Sequence, residues 1–181
     1  MDRRQQKTQN AIIEAFCVLL KEKGYHKITV QEIIDRANIG RSTFYSHFET
    51  KDDLLAKICE HLFEHIFTTT FENSEEPMDY RGKQRAIIEH ILYHVKHDNK
   101  EIVGILIEQG NTIFINSFKE YFYEVIDQYW LENNEYLKAG VPVEIVKNHI
   151  YCSFIGILQI WIKGTWSVPI ENIREYYMQM V

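Results

Sequence analysis

Residues 28–54 read ITVQEIIDRANIGRSTFYSHFETKDDL, and in this stretch one short helical pattern follows another across a very short turn. Thr29 and Glu32 form a capping box, in which the hydroxyl and the carboxylate each accept a hydrogen bond from a backbone N–H at the start of a helix. Asn38-Ile39-Gly40 then ends this helix, because Asn and Gly tolerate the backbone of a tight turn, and residues 41–47 begin the next one. Two short helices joined so closely predict a helix-turn-helix.

The flanking sequence also has helical spacing. Ile12, Phe16 and Leu19 predict a first helix that ends at Gly24, and Thr50 begins a long fourth helix. The polar segment 72–82 indicates a boundary, which divides the chain into a helix-turn-helix domain at 1–50, a linking helix at 51–71 and a larger part at 72–181. Further helices are predicted near 83–97, 100–109, 111–134, 142–164 and 169–181.

The composition agrees with an all-α protein that has a hydrophobic core. The 181 residues are 45% hydrophobic, with only 3 prolines and 8 glycines. The net charge of -6 is unusual for a nucleic-acid binder, but residues 1–71 carry 10 basic and 10 acidic side chains, so the excess of acid lies in 72–181. Three widely spaced cysteines without a C-x-x-C pair, and a polar N-terminus, predict a cytoplasmic protein.

The helix-turn-helix stretch resembles the DNA-binding region of the TetR family of transcriptional regulators. The positions that match the family pattern are Ile33, Ala37, Thr43, Tyr45, His47, Phe48, Lys51 and Leu54. Asn38 and Gly40 stand where the family usually has Gly and Ser. The resemblance implies an all-α fold with an N-terminal three-helix DNA-binding domain followed by a C-terminal helical domain for ligand binding and dimerisation. It also implies a homodimeric regulator, expected to be a repressor, that binds a palindromic operator in double-stranded DNA and responds to a small effector.

The helix that begins at Arg41 is expected to enter the major groove, which accepts one helix and is read through hydrogen-bond donors and acceptors. The residues expected to contact DNA are Thr29, Arg41, Ser42, Thr43, Tyr45, Ser46, His47 and Lys51. Within this set, Arg41 is expected to read a guanine, and Lys51 to neutralise a phosphate. The apolar positions in the same stretch, Ile33, Ala37, Ile39, Phe44 and Phe48, are expected to form the small core of the domain.

The run Ile150–Ile162 is apolar nearly all round, so we expect it to be buried on one side by its own domain and on the other by a second subunit. The run alone is shorter than the roughly 20 residues of a membrane span. The expected dimer contacts are Ser153, Gly156, Ile157, Ile160, Tyr176 and Tyr177. Dense aromatic residues in the C-terminal part are mostly core, but some are expected to line an effector pocket: Phe114, Phe118, Phe122, Tyr151, Phe154 and Trp161.

Two groups of histidines are weighed as metal sites. His61-Leu-Phe-Glu64-His65 matches the H-x-x-E-H string of one metalloprotease class, but a third ligand and a cleft would also be needed. His90, His94 and His97 lie within two helical turns and could also bind a metal, although solvated or buried histidines are the more common case. The sequence therefore predicts no metal, no cofactor and no enzyme. A metal-dependent hydrolase using His61 and His65, and a helical interaction module without a ligand, are the alternatives.

Overall fold

The computed structural model describes residues 3–67, 79–132 and 134–181, and these residues form α-helices, one 3-10 turn and short connections, with no strand among them. The helices are α1 (Arg3–Lys23), α2 (Val30–Ala37), α3 (Arg41–Tyr45), α4 (Lys51–Phe67), α5 (Tyr80–His97), α6 (Lys100–Glu108), α7 (Thr112–Tyr129), α8 (Glu135–Lys138), α9 (Val143–Lys163) and α10 (Ile170–Met180). The predicted all-α class is confirmed.

The chain forms two compact units, and the chain crosses between them several times. Unit 1 consists of residues 1–62 and 101–117, and unit 2 of residues 63–100 and 118–181. This division differs from the linear one expected at residues 50 and 71, because most of α6 and the start of α7 pack with the N-terminal helices. A hydrogen bond of 3.0 Å from the Tyr25 backbone N–H to Oε1 of Gln109 joins these segments within unit 1.

The core of unit 1 forms where the apolar faces of its helices meet. Ile12, Phe16 and Leu20 follow helical spacing along α1 and are fully buried, as is Phe44 of α3. The chain turns sharply after α1 at Gly24, whose φ of 75° is accessible to glycine at little cost. These contacts fix α1 against the short helices that follow it.

The core of unit 2 is mainly aromatic. Phe118 and Phe122 of α7 stack on Phe154 of α9, with ring centroids 5.8 and 4.7 Å away, and Tyr177 of α10 meets Phe154 edge-on at 5.3 Å. Such offset and edge-to-face pairs add specific geometry to the burial of large apolar area. One charged side chain is buried beside this core: the ammonium of Lys147 lies 2.8 Å from the Asp127 carboxylate.

Most of the predicted helices agree with the structure to within a few residues, but the helix predicted at 111–134 does not. In the structure α7 ends at Tyr129, and the separate short helix α8 begins after Asn134. The side chain of Asn134 accepts hydrogen bonds from the backbone N–H groups of Tyr136 and Leu137, which makes it the N-cap of α8. The capping signal is present in the sequence, since residues 132–135 read Glu-Asn-Asn-Glu, but the predicted helix extends through it.

Helix α9 is longer than the apolar run that it contains. It has 21 residues and a mean hydropathy of 1.3 over its most apolar window, so by length and composition it could cross a membrane, contrary to the estimate from the run alone. Of that window, 44% is buried inside the protein, and a core helix that does not span a membrane can have the same length and composition. One such helix is weak evidence for a membrane span.

Candidate nucleic-acid interface

Helix α2 begins at the capping box that the sequence predicts. The Thr29 hydroxyl oxygen accepts a bond of 3.3 Å from the Glu32 N–H, and the Glu32 carboxylate accepts one of 2.9 Å from the Thr29 N–H. The Lys23 ammonium also donates to Glu32, and together with the Thr29 bonds this lowers the pKa of the Glu32 carboxyl to about 2. The start of α2 is therefore bonded both to itself and to the end of α1.

The turn between α2 and α3 has the backbone that its residues favour. Asn38 adopts φ 51° and ψ 51°, the left-handed conformation that Asn tolerates better than most side chains. Its N–H donates to the last carbonyls of α2, which ends the helix. Gly40 is the N-cap of α3 with an ordinary φ of -77°, and no side chain caps the helix there. Asn38 therefore performs the turn function for which the family usually has Gly.

Helix α3 presents one buried and one exposed face. Phe44 is fully buried, and Phe48, just beyond the helix, lies beside it with ring centroids 6.0 Å apart. The side chains of Arg41, Ser42, Tyr45 and Ser46 are exposed, whereas Thr43 and His47 are half-buried. Arg41 forms no ion pair within the described parts of the chain. The exposed face thus offers one cationic side chain and several hydroxyl groups for an external partner.

The helix is shorter than the sequence predicts, ending at Tyr45 instead of His47. Ser46 is its C-cap, and the Ser46 hydroxyl donates a hydrogen bond of 2.7 Å to the Thr43 carbonyl. This bond occupies the hydroxyl proton of Ser46, so toward DNA its oxygen acts only as an acceptor. His47 lies beyond the helix with its ring against Phe48.

Lys51, the first residue of α4, is held by contacts inside unit 1. Its ammonium donates to the Ile28 carbonyl at 3.0 Å and to the Tyr25 carbonyl at 3.2 Å, and lies 4.5 Å from the centroid of the Tyr25 ring. Because an ammonium has three N–H donors, one donor remains for a phosphate. Lys51 thus links α4 to the turn before α2, a structural role that its motif position does not reveal.

Tyr25 is the residue of this region that the sequence reasoning missed. Its hydroxyl is hydrogen-bonded to the Asp52 carboxylate, and the Lys51 ammonium lies over its ring. Its backbone N–H donates a hydrogen bond to Oε1 of Gln109. Burial, followed by the bond to Asp52, raises the pKa of Tyr25 far above its usual value. Its partners lie 26 to 84 residues away along the chain, so no local pattern could have identified them.

Comparison with known proteins agrees with this geometry. A family model described as "Bacterial regulatory proteins, tetR family" matches residues 12–58, which contain the helix-turn-helix. A TetR transcriptional regulator from Streptococcus agalactiae 2603V has a similar structure, with a TM-score of 0.76 and 33% sequence identity. The likeness covers 99% of this chain and 96% of the other. The chain belongs to the TetR family. It is therefore a transcriptional regulator with a DNA-binding helix-turn-helix.

Two further comparisons cover different shares of the chain. The dhaKLM operon transcriptional activator DhaS of Lactococcus lactis is 36% identical over 81 residues, which are 45% of this chain and 40% of DhaS. The chain thus matches well under two thirds of the length of that relative. The FadR regulator of Bacillus subtilis, solved in complex with stearoyl-CoA, has a TM-score of 0.69 at 16% identity, covering 96% of this chain and 95% of FadR. That second likeness shows the fold.

The residues expected at the TetR-family dimer interface fall into two groups. Ile160 and Tyr176 are 73% and 52% exposed, and Ser153, Gly156 and Ile157 are half-buried along the same side of α9. Tyr177, in contrast, is fully buried in unit 2, where its hydroxyl donates to the Ile150 carbonyl at 3.2 Å. Tyr177 is a core residue, because neighbouring positions of a helix point in different directions.

The six aromatic residues expected to line an effector pocket are all buried at 6% exposure or less. Five of them belong to unit 2 and Phe114 belongs to unit 1. Within unit 2, Phe118, Phe122, Tyr151 and Phe154 contact one another, and Trp161 donates from Nε1 to the Val168 carbonyl at 2.8 Å. A cavity of about 520 Å³ in unit 2 has a different lining, which includes Tyr80, Arg81, Gln84, Trp130 and Tyr136. The six residues thus act as core in this structure.

The histidines that the sequence offered as metal ligands do not group as either pattern suggests. The ring of His97 lies against that of Tyr93, tilted by 31° with centroids 4.5 Å apart, whereas His94 lies beside His90 and beside His65 of α4. In the structure, His65 of the His61–His65 string therefore lies beside His94 of α5.

Proposed function

We propose that this TetR-family regulator reads a palindromic operator by placing α3 of each subunit in the major groove. The observation that carries the proposal is the two-faced α3: Phe44 anchors the helix in the core, while Arg41, Ser42 and Tyr45 face outward. A short helix held in this way presents donors to base edges without losing its support. Because DNA lies in the bacterial cytoplasm, the protein is placed there.

Arg41 and Lys51 have different roles in this proposal. Arg41 stands at the exposed start of α3, where a guanidinium can donate two bonds to a guanine. Lys51 directs its remaining N–H toward a phosphate while it fixes α4 to the carbonyls of Tyr25 and Ile28. The exposed Thr29 and Tyr45 side chains and the half-buried Thr43 and His47 side chains complete the surface as phosphate or base contacts. The exposed Ser46 oxygen, whose proton is bonded to the Thr43 carbonyl, would accept a hydrogen bond from a base.

The experiment compares Arg41→Ala with Lys51→Ala and a charge-matched control, Arg36→Ala. Arg36 is an exposed α2 residue whose guanidinium is paired with Glu22 at 2.7 Å. Affinities are measured for duplexes from the gene's own upstream region and for random duplexes at several salt concentrations. Arg41→Ala should cost about 1–3 kcal/mol on the operator and much less on random DNA.

The other two variants distinguish sequence-specific binding from non-specific electrostatic binding to DNA. Lys51→Ala should weaken binding to both duplexes about equally, reduce the salt slope by about one contact per subunit and also lower the melting temperature. Arg36→Ala should leave the preference for the operator unchanged. If Arg41→Ala lowered the affinity for both duplexes equally, Arg41 would contact only phosphate. Base recognition would then be assigned to the hydroxyl groups of α3.

The regulator is proposed to act as a homodimer through α9 and α10. Val143, Ile145 and Ile160 of α9 are 40%, 60% and 73% exposed, and Tyr176 and Met180 of α10 are half exposed. Large apolar side chains exposed along adjoining helices favour association with a second apolar surface. A two-fold axis between two copies would match the symmetry of a palindromic operator.

An effector is proposed to bind in unit 2 and to alter DNA affinity. The FadR structure, solved with stearoyl-CoA, suggests acyl thioesters as the first compounds to screen. Binding would require the aromatic core around Phe118 and Phe154 to open, or use of the cavity beside Arg81. By linkage, an effector that weakens DNA binding must itself bind less tightly to the DNA complex by the same factor.

Repression is the proposed outcome of operator binding, and activation is the second candidate. The observation that supports the second candidate is the likeness to DhaS, a transcriptional activator that is 36% identical over 81 residues. Deletion of the gene distinguishes the two functions, because transcription from the bound promoter rises when a repressor is lost and falls when an activator is lost.

A further inference from the structure

Three polar side chains of unit 2 converge near the ends of two helices. His65 lies in the last turn of α4, His94 lies in the last turn of α5, and Asp98 is the C-cap of α5. One potential ligand atom from each residue lies within 4.8 Å of the other two. The rings of His65 and His94 meet edge-on with centroids 5.0 Å apart, and Nδ1 of His94 is hydrogen-bonded to the Asp98 carboxylate.

We propose that His65, His94 and Asp98 bind a divalent transition-metal ion of the zinc type. Two imidazole nitrogens and one carboxylate oxygen form a ligand set used by zinc sites that keep an open position, whereas calcium and magnesium prefer sites made wholly of oxygen. The metal would join the end of α4 to the end of α5 within unit 2.

The distances fit such a site after small side-chain movements. A tetrahedral ion with bonds of about 2.1 Å holds its ligand atoms about 3.4 Å apart. The widest separation, at most 4.8 Å, therefore needs to shorten by no more than about 1.4 Å, while Nδ1 of His94 and the Asp98 carboxylate oxygen, now joined by a hydrogen bond, need to move apart. His65 is exposed and the Asp98 side chain is 44% exposed, so both can rotate without repacking the core.

Helical spacing accounts for two of the three proposed ligands, and tertiary packing supplies the third. His94 and Asp98 are four residues apart, so they share one face at the end of α5. His65 comes from a helix almost thirty residues earlier in the chain. The His61–His65 string and the His90–His94–His97 series each contribute only part of the proposed set, which is why neither pattern predicts the site by itself.

The test uses the full-length chain without a polyhistidine tag, after chelator treatment. Co(II) is titrated while its visible absorption is followed, and Zn(II) is then added as competitor. The expected result is one Co(II) per chain, displaced by Zn(II), with a melting temperature raised by about 5–10 °C at saturating Zn(II). The measurement needs no DNA, so its outcome is independent of the proposed operator binding.

His65→Gln is the main variant, because its exposed side chain can be replaced with little effect on folding. It should lower metal affinity at least about tenfold and remove most of the melting shift. The matched controls are His61→Gln, one turn earlier on α4, and His97→Gln, one turn later than His94. Both controls should bind metal like the unmodified chain.

Three results would overturn the proposal. The first is the absence of stoichiometric Co(II) binding in the unmodified chain. The second is equal affinity in the unmodified chain and in His65→Gln, which would place the metal elsewhere. The third is an equal loss in His61→Gln and His65→Gln, which would assign the metal to the pair on α4 without α5.

Discussion

Gly40 occupies the N-cap of α3 although its conformation does not require glycine. Its φ of -77° and ψ of 153° are typical of N-cap residues of any type. A Cβ at this position would meet Thr43 Oγ1 at 3.6 Å, an ordinary contact. The helix that carries the proposed base contacts thus begins without the capping hydroxyl that related sequences usually have.

Two substitutions at Gly40 measure how much stability a capping hydroxyl would add to α3. Gly40→Ser should be more stable than Gly40→Ala by about 1 kcal/mol, because a serine hydroxyl accepts an N–H of the first helical turn and a methyl group cannot. The measurement is the urea concentration at half-unfolding, with the slope of each transition compared as the control. Equal stability of the two variants would mean that α3 does not begin at Arg41.

At the scale of the element, α2 depends on the Glu32 carboxylate, which bonds both its own capping residue and Lys23 of α1. The pKa of this carboxyl is lowered to about 2, from an ordinary value of 4.5. A lowered pKa in the folded state means that the ionised form stabilises the fold above the unfolded value. This stabilisation is lost as the pH falls through the interval from about 4.5 to about 2.

Glu32→Gln should therefore be less stable than the unmodified chain between pH 5 and pH 8, by a nearly constant amount. Below about pH 4.5 the difference should shrink, because the unfolded form of the unmodified chain takes up a proton at Glu32 that the folded form does not yet bind. Urea unfolding of both proteins at pH 7, 4 and 3 measures this difference in the free energy of unfolding. In a Lys23→Gln background the shrinking should again begin near pH 4.5, but it should be smaller and end at a higher pH, because the folded-state pKa of Glu32 is then lowered less. A difference that stays constant to pH 3 would contradict the role given to Glu32.

At the scale of the whole molecule, the exposed side of α9 is the surface that a second copy would cover. Gly156 lies on this side, and a Cβ added there would meet no atom within 4 Å in the protomer. A larger side chain at 156 is therefore accommodated by the single chain, and its effect reports on the partner. This makes position 156 a sharper probe of dimerisation than any buried apolar residue of α9.

Gly156→Arg should convert the protein to a folded monomer with weakened operator binding, because an arginine would introduce an unpaired charge between closely packed helices. Sedimentation velocity at micromolar concentration measures the oligomeric state, and circular dichroism checks the fold. Ala139→Arg, which places the same charge at an exposed site beyond α8, is the control and should stay dimeric. A dimeric Gly156→Arg protein would exclude this side of α9 as the interface.

Much of the proposed DNA-binding surface could be predicted because its signals are local. The capping box at Thr29, the turn at Asn38 and the alternation of Phe44 with polar neighbours all lie within one or two helical turns. The roles of Lys51 and Tyr25 could not be predicted in the same way. Their contacts with the Ile28 carbonyl, Asp52 and Gln109 join segments that are distant in sequence.

The sequence by itself determined the all-α class, the two short helices and the exposed polar face of α3, because helical spacing and caps act between residues a few positions apart. Only the tertiary structure decided that Tyr177 and the aromatic residues around Phe118 are core, and that His65 joins His94 and Asp98. A side chain's position on its helix follows from spacing, but what covers that face depends on which distant helix packs against it. That packing is a property of the whole chain and is absent from any single segment.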